Sequence, residues 1–433
     1  MPDLFPLSMS QYTLIIGLLS NSDLKNSGRL NTLTCCFEWK KGSAELLSKI
    51  GNQLLEKNDA FRLRPVYHFP WKWKQYIAPY EKEVFPLLKF DDDETYESWL
   101  MKAKDNDVRL LKDKLYDFRI LERADNGFTL WIQMNHFLTD GYSMKLMANQ
   151  IRALDRFYTT GETGIVKEPG SYRDHVEKER SYRKSPQFKE DRAYWKKVFR
   201  YHKDFSFPAG SRSMKIHCDT KSITVEGDLY RKLVSFCRDN GLSVSSALMS
   251  GSAMTANSIT AATRFSMATL SYGRNDGVLR RTMGCMMNSP VMMYSVDPSK
   301  SFTEFCRKNY EDNLEMLRHL RYSSLDFTPL SYALCMSHGM NFNHSWILFS
   351  QMDYESAFVD ADPKGRMFWS NTNVSQFYAA IFDVPKEERV TLELRYQTKR
   401  FSENTIEKLL SSNYNILTLL LHEPDLPMRE VLK

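Results

Sequence analysis

The sequence lacks the features that assign many chains to a class at once. Its 433 residues include seven cysteines, an odd number without a Cys-x-x-Cys pair, so neither a disulfide framework nor a zinc site is expected. A glycine-rich phosphate loop is also missing. No tract of Lys and Arg alternates with aromatic residues, and a net charge of +6 is small for this length. Nucleic acid is therefore not an expected partner.

Long hydrophobic runs are absent as well. The longest one near the start covers residues 13–19, which is too short to span a bilayer. It has neither the basic flank nor the small-residue cleavage site of a signal peptide. These absences predict a soluble, cytoplasmic protein with no membrane partner.

Apolar residues are nevertheless plentiful, with 42% hydrophobic and 13% aromatic residues. A chain of this length is too long for one ordinary core, so two or three domains are expected. The polar stretch 159–164 and the pair Pro169–Gly170 mark a break. Predicted strands and helices alternate on both sides of it. We therefore expect a mixed α/β protein with one domain over residues 1–168 and a second over residues 169–433.

One stretch is a candidate active site. Residues 128–134 are apolar and aromatic and predict a buried strand, while residues 143–157 have the periodicity of an amphipathic helix. His136, Asp140 and Gly141 lie between them. An imidazole at the edge of a core, where water is scarce, is well placed for proton transfer. A histidine at a strand end is also often only a well-packed core residue, so this spacing alone leaves both interpretations open.

The His136-x-x-x-Asp140-Gly141 pattern resembles the signature of the chloramphenicol acetyltransferase-like superfamily. Its surroundings resemble a condensation domain of nonribosomal peptide synthetases. Four further stretches carry this resemblance along nearly the whole chain: Leu-Ser-x-x-Gln at 7–11, an arginine motif at 57–64, an Asp-Arg-x-Tyr-Trp segment within 171–199, and Gly-x-x-x-Asn-Ser within 283–290. No carrier-protein serine motif or adenylation motif accompanies them.

The resemblance implies a fold of two acetyltransferase-like lobes, which form a pseudo-dimer with a central cleft. It also implies that His136 handles a proton or orients the nucleophile. Asp140 would be held by the last arginine of the second motif, here Arg62. Gly141 would permit a positive φ and close approach of substrate, and its amide is a candidate oxyanion donor.

The same resemblance places residues of the second half at the site. Tyr272, Asn288 and Ser289 are expected to line the substrate tunnel. The first of the two adjacent histidines usual in the family is Asn135 here, which supports the loop in our interpretation. This departure leaves the reaction intact but puts the packing of the loop and the substrate range in question.

The implied reaction joins a carrier-bound acyl or peptidyl thioester to an amine or a hydroxyl. Substrates would arrive on phosphopantetheine arms of carrier proteins, and neither a permanently bound cofactor nor a metal is expected. We also expect a monomer. The alternatives are a stand-alone acyltransferase that uses acyl-CoA for N- or O-acylation, and a catalytically inactive recruitment module. The intact His136 and Asp140 argue against the inactive module.

Two relatives of the condensation domain fit less well. Epimerisation domains share the histidine loop but carry Glu-Gly-His-Gly-Arg, where this chain has Leu270-Ser-Tyr-Gly-Arg274. Heterocyclisation domains replace the histidine with aspartate. Neither pattern matches.

A basic stretch covers residues 173–200, with ten Lys or Arg against five Asp or Glu. Such a rim would attract an acidic carrier protein and orient it. A solvated helix face is the other interpretation, because many of these charges have opposite charges three or four residues away.

Overall fold

The computed structural model describes residues 2–19, 32–68, 72–110, 114–163, 168–200, 217–326, 347–351, 358, 362–371 and 377–432. The contacts between residues divide the chain into two compact units. Unit 1 consists of Met1–Lys184, Tyr272–Met287 and Tyr354–Thr372. Unit 2 consists of Ser185–Ser271, Asn288–Asp353 and Asn373–Lys433.

The first change of unit falls after Lys184, and the domain boundary expected after residue 168 stays a prediction. The helix Tyr172–Tyr182 belongs to unit 1, because its Tyr172 and Val176 are buried in the core of that unit. An apolar face of this kind binds the helix to the unit that buries it.

Unit 1 contains two sheets, with strands and helices numbered along the whole chain. Its strands are β1 (Phe5–Pro6), β2 (Thr32–Trp39), β3 (Leu63–His68), β4 (Lys72–Ile77), β5 (Leu87–Lys89), β6 (Tyr116–Glu122), β7 (Phe128–Asn135) and β12 (Lys364–Phe368). The larger sheet has the order β12–β2–β7–β6–β5, and the smaller one has the order β1–β4–β3. Strands β6 and β7 pair antiparallel.

The helices of unit 1 cover both faces of the larger sheet. They are α1 (Met9–Leu19), α2 (Ala44–Lys57), α3 (Asp93–Ala103), α4 (Gly141–Thr160) and α5 (Tyr172–Tyr182). Leu130 and Ile132 of β7 belong to the core cluster that contains residues of α2 and α4. Trp131 belongs to a second cluster with Leu100 of α3. Because β7 is buried on both faces, its sequence is a largely continuous apolar run and does not alternate between apolar and polar residues.

Unit 2 is built on one sheet of the order β10–β9–β11–β13–β14–β8. Its strands are β8 (Cys218–Glu226), β9 (Arg264–Thr269), β10 (Val291–Ser295), β11 (Ile347–Gln351), β13 (Phe377–Val384) and β14 (Arg389–Gln397). Its helices are α6 (Pro186–Arg200), α7 (Gly227–Asp239), α8 (Val244–Thr260), α9 (Phe302–Leu317), α10 (Glu403–His422) and α11 (Met428–Val431).

The core of unit 2 lies between this sheet and its helices. Val390, Leu392 and Leu394 alternate along β14 and are buried in one cluster with residues of α7, α8 and α10. At Gly251 of α8 an added Cβ would lie 3.2 Å from the Leu417 side chain, so a small residue allows α10 to approach. In the described part of the chain, none of the helices has the length and apolar character to cross a membrane.

Candidate active site

The candidate site is built on the turn that joins β7 to α4. Asn135 ends the strand, and its side-chain Oδ1 accepts from the N–H of Phe137 at 2.9 Å. His136 opens the short 3₁₀ turn that follows. Asp140 then caps α4, because its carboxylate accepts from the N–H of Ser143 at 2.9 Å. The predicted strand, turn and helix are confirmed here, and local hydrogen bonds fix the positions of His136 and Asp140.

The tautomer of His136 follows from a single contact. Its Nδ1 lies 2.6 Å from the backbone oxygen of Thr139. A carbonyl oxygen can only accept, so Nδ1 carries the proton and Nε2 keeps its lone pair in the neutral ring. Burial lowers the pKa of His136, although the charge of Asp140 acts in the opposite direction. At neutral pH the ring is therefore uncharged and can accept a proton at Nε2.

Asp140 is paired with Arg274, which sequence reasoning did not connect to it. The guanidinium donates to Oδ2 at 2.8 Å and to Oδ1 at 3.0 Å, and both side chains are only 1% exposed. The N–H of Met286 adds a third donor at 2.9 Å. Burial raises the pKa of the Asp140 carboxyl, but Arg274 and these donors hold it below its ordinary value overall. Asp140 is therefore an ionised structural anchor.

The expected pairing of Asp140 with Arg62 is wrong. Arg62 ends a 3₁₀ turn that directly follows α2, and its Nη1 donates to the backbone oxygen of Glu56 at 3.2 Å. Glu56 belongs to the last turn of α2, where carbonyl oxygens have no partner within the helix and the macrodipole is negative. A cation placed there is stabilised locally. Arg62 thus supports the end of α2 and not the histidine turn.

Asp59, which belongs to the same arginine motif at 57–64, makes the contacts with a distant part of the chain. The carboxylate of Asp59 accepts from the N–H of Tyr172 at 3.0 Å and from the hydroxyl of Ser171 at 2.5 Å. These bonds attach the beginning of α5 to the end of α2. Burial raises the pKa of Asp59, and its hydrogen bonds oppose that change.

Gly141 differs from the expectation in its conformation. It is the first residue of α4, and its φ is not in the left-handed region. An added Cβ would meet nothing within 4 Å. The glycine is therefore not needed for a strained turn, and it leaves open space next to the first N–H of the helix. That N–H has no acceptor within the helix.

The loop 273–286 completes the surroundings of Asp140, and two glycines shape it. Gly273 has φ +64°, and a Cβ there would lie 2.1 Å from the backbone oxygen of Met286. Gly284 has φ +147°, and a Cβ there would lie 2.0 Å from the ring of Tyr172. Both positions require glycine because of the close approach and the positive φ.

Tyr172 holds this loop from the side of α5. Its buried hydroxyl donates to the backbone oxygen of Cys285 at 2.7 Å and lies 2.8 Å from the hydroxyl of Ser8. Gln11, in the first motif, donates to the backbone oxygen of Phe137 at 3.3 Å. The first motif and the Tyr172 segment therefore support the two loops on which the site is built, a role that no local sequence signal indicated.

Cys285 contacts His136 without forming a nucleophilic pair. Its sulfur lies 4.0 Å from Nδ1 of His136. Burial raises the pKa of the thiol well above its ordinary value, so the sulfur stays protonated. The contact is one of packing.

The other predicted site residues lie in different environments. Asn135 donates from Nδ2 to the backbone oxygen of Val108 at 2.6 Å, so it supports the end of β7 as expected. Tyr272 is 37% exposed in unit 1. Asn288 and Ser289 belong to unit 2, and Asn288 donates to the backbone oxygens of Leu320 and Tyr322 at 2.9 and 3.0 Å. The assignment of Tyr272, Asn288 and Ser289 to a tunnel stays a prediction.

No group of three or more His, Cys, Asp or Glu side chains is placed to bind a metal ion within the described ranges. The buried charges of the site are those of Asp140 and Arg274, which neutralise each other. What the turn offers chemically is one neutral imidazole and one helix N-terminus beside open space.

The sequence model of the family described as Condensation domain matches residues 17–432. The chain therefore belongs to the condensation domain family. This membership confirms the predicted family, the α/β fold class and the enzyme class, a condensation-type acyltransferase.

Curated relatives include much longer proteins. A plipastatin synthase of Bacillus subtilis (strain 168) is 23% identical over 413 residues, which is 92% of this chain and 16% of that protein. Surfactin synthase subunit 1 of the same organism is 21% identical over 392 residues, which is 88% of this chain and 11% of that protein. The chain thus spans less than a fifth of the length of these relatives.

Solved structures share the fold at low identity. The starter condensation domain of rhizomide synthetase RzmA, as a variant in complex with C8-CoA, has a TM-score of 0.82 and 15% identity, over 98% of this chain and 96% of that one. The first condensation domain of the calcium-dependent antibiotic synthetase, in complex with substrate analogue 3a, has a TM-score of 0.80 and 16% identity. The match covers 99% of this chain and 98% of that one.

Proposed function

We propose that this chain transfers the acyl or peptidyl group of a carrier-bound thioester to an amine, which forms an amide bond in nonribosomal peptide synthesis. The observation that carries the proposal is the state of His136. Its Nδ1–H is engaged by Thr139 at 2.6 Å, and its lowered pKa keeps Nε2 available as a base. With a hydroxyl acceptor the same step gives an ester.

The reaction needs modest activation if the acceptor is an α-amine, whose pKa of about 8 leaves a useful neutral fraction. The amine nitrogen attacks the thioester carbonyl carbon, and the C–S bond breaks as the tetrahedral intermediate collapses. Nε2 of His136 takes the proton that the nitrogen loses and passes it to the departing sulfur. A base placed in this way contributes roughly 100- to 10,000-fold to the rate.

The oxyanion of the intermediate requires a donor, and we assign the first N–H of α4 at Gly141. This amide belongs to the positive end of a long helix, and the space beside it is open. Asp140 has no proton to transfer, because Arg274 keeps it ionised. Its part is to hold the turn against the loop 273–286.

The partners in this proposal are acyl or peptidyl carrier proteins, which present the substrates on phosphopantetheine, and the chain acts as a monomer without a permanently bound cofactor. A parallel incubation tests it. The protein is mixed with an acceptor amine and with either acyl-loaded carrier protein or acyl-CoA, and thioester loss and amide formation are followed by mass spectrometry. Turnover of the carrier-bound donor alone is the expected result.

An acyl-CoA-dependent acyltransferase is the second candidate. The observation that favours it is the likeness to a starter condensation domain in complex with C8-CoA. Turnover with acyl-CoA at least equal to that with the carrier would favour this alternative. No turnover with either donor would leave the inactive recruitment module, which gives no reason for the preserved geometry of His136 and Asp140.

The dependence of the rate on pH tests the state of His136. Since burial lowers its pKa, protonation should remove the base only at a pH below the ordinary value of about 6.5. With the rate divided by the concentration of unprotonated amine, we expect a plateau through pH 7 and a decline below about pH 6.5. Steady-state rates from pH 5 to 8 check this. A decline centred above pH 7 would contradict the assignment.

Ion pairs partly neutralise the positive charge at the beginning of the basic stretch. Arg173 pairs with Asp3 at 2.5 Å and with Glu177 at 3.2 Å, and Lys178 pairs with Asp276 at 2.6 Å. Exposed basic side chains follow towards the end of α5 and along α6. We assign this later part, from Arg183 onward, as the contact for an acidic carrier protein.

Charge reversal of Arg183, Lys184 and Lys189 to Glu should therefore raise the KM for the carrier-bound donor and flatten its salt dependence. The rate with a small soluble thioester should not change, because the surface charges act by attracting the charged carrier protein. This attraction is screened by salt, with a Debye length of about 8 Å at physiological ionic strength. Reversal of the exposed Lys40, Lys41 and Lys82 is the matched control. If both donors suffer equally, or neither does, the stretch is only a solvated face.

A further inference from the structure

An aromatic pair flanks the catalytic turn and has no part in the chemistry described so far. Tyr142, the residue after Gly141, packs against Tyr272 with ring centroids 5.4 Å apart and an angle of 48° between the planes. Tyr272 is 37% exposed, and Gly141 adjoins open space. An exposed aromatic ring in this position can contact a ligand that enters the open space beside Gly141.

Both tyrosines contact the same buried arginine, Tyr142 through its ring and Tyr272 through its backbone. The guanidinium of Arg274 lies 4.6 Å from the centroid of the Tyr142 ring and donates to the backbone oxygen of Tyr272 at 2.7 Å. The hydroxyl of Tyr142 donates to the backbone oxygen of Arg280 at 3.3 Å. Gly273, fixed by its contact with Met286, follows directly on Tyr272. Rigid aromatic side chains of this kind bind with little loss of conformational freedom.

The local charge decides which group suits the exposed ring. Arg274 already lies on the Tyr142 ring, and the positive end of α4 begins at Gly141. Asp140 neutralises Arg274, but the positive end of α4 disfavours a cationic group. An uncharged planar group can instead stack on Tyr272 or meet it edge to face, as aromatic rings prefer.

We propose that Tyr272, backed by Tyr142, is a specificity-determining contact for an uncharged aromatic group of the substrate. The inference rests on the proposed function, because it concerns the substrate of the same site. The aromatic group can belong to the acyl donor or to the amine acceptor. Tyr272 takes no part in proton transfer, so it acts on KM and on substrate choice and leaves kcat unchanged.

The test uses direct binding and turnover with the full chain. Two aromatic probes, phenylacetyl-N-acetylcysteamine and phenylalaninamide, are compared with the aliphatic hexanoyl-N-acetylcysteamine and leucinamide. Kd values are measured by ligand-observed NMR for wild type, Tyr272→Leu and Tyr272→Phe. Leucine keeps apolar bulk without a ring face, and phenylalanine keeps the ring. Tyr67→Ala is the matched control, because Tyr67 is 43% exposed and also packs on an aromatic ring, that of Trp73.

We expect Tyr272→Leu to weaken one aromatic probe by about 2- to 12-fold, the range of aromatic pair contacts. Tyr272→Phe and Tyr67→Ala should bind like wild type, and the aliphatic probes should not change. The affected probe identifies the donor or the acceptor as the aromatic substrate. Equal weakening of aromatic and aliphatic probes, no weakening, or no binding of either aromatic probe to wild type overturns the inference. If Tyr272→Leu weakens the binding of only one aromatic probe and the wild-type protein shows no turnover, the proposed function is contradicted and the inference about Tyr272 is not.

Discussion

His136→Ala should lower the rate of amide formation by roughly 100- to 10,000-fold while the protein stays folded. The substitution removes the proton acceptor that the turn offers at Nε2. The turn itself should persist, because Asp140 still caps α4 and still pairs with Arg274. Product formation under saturating donor, measured by mass spectrometry, gives the rate, and thermal unfolding gives the integrity of the fold.

His422→Ala is a suitable control for this experiment, since His422 is exposed at the end of α10 in unit 2. It should leave the rate unchanged. A rate within a few-fold of wild type for His136→Ala would mean that the histidine does not take the proton, and that alignment of the substrates supplies the acceleration.

The pair of Asp140 and Arg274 should have the largest effect on stability. Removing either charge leaves its partner buried and unpaired, which costs about 3 to 5 kcal/mol in the free energy of unfolding. Asp140→Asn and Arg274→Gln should each show this loss, together with lost activity because the loop 273–286 is released. The double variant should lose much less than the sum. Urea denaturation followed by tryptophan fluorescence measures each value.

The matched control cycle combines Asp140→Asn with Arg62→Gln. Arg62 donates to Glu56 and does not contact Asp140, so these two losses should add. Additivity for Asp140 with Arg274, or strong coupling of Asp140 with Arg62, would show that the ion pair described here is not the one that exists in solution.

The sequence predicted the histidine turn well because the turn is defined locally. The apolar run of β7, the cap at Asp140 and the periodicity of α4 all lie within about thirty residues, and the capping bond joins Asp140 to Ser143.

The partner of Asp140 depends on distant packing, and there the prediction failed. Arg62 ends a 3₁₀ turn and Arg274 lies in a loop, and sequence alone does not tell which of these two arginines can reach a buried carboxylate. The Gly273–Arg274 corner was visible as a motif, but its meaning needed the contact of Gly273 with Met286. The roles of Tyr172 and Ser8 were hidden for the same reason, since their hydrogen bond joins residues 164 positions apart.

Strand β12 sets a condition on how the protein is made. Its residues pair antiparallel with β2, from Lys364 opposite Glu38 to Phe368 opposite Thr34, and Arg366 contacts Glu97 at 2.6 Å. Until the ribosome has added this strand, β2 has an open edge that can pair with another nascent chain. At roughly 5 to 20 residues per second, the edge stays uncovered for about 10 to 40 s after Lys184 is synthesised. The sheet of unit 1 therefore cannot be completed until β12 has been translated. A fragment that ends at Lys184 should aggregate.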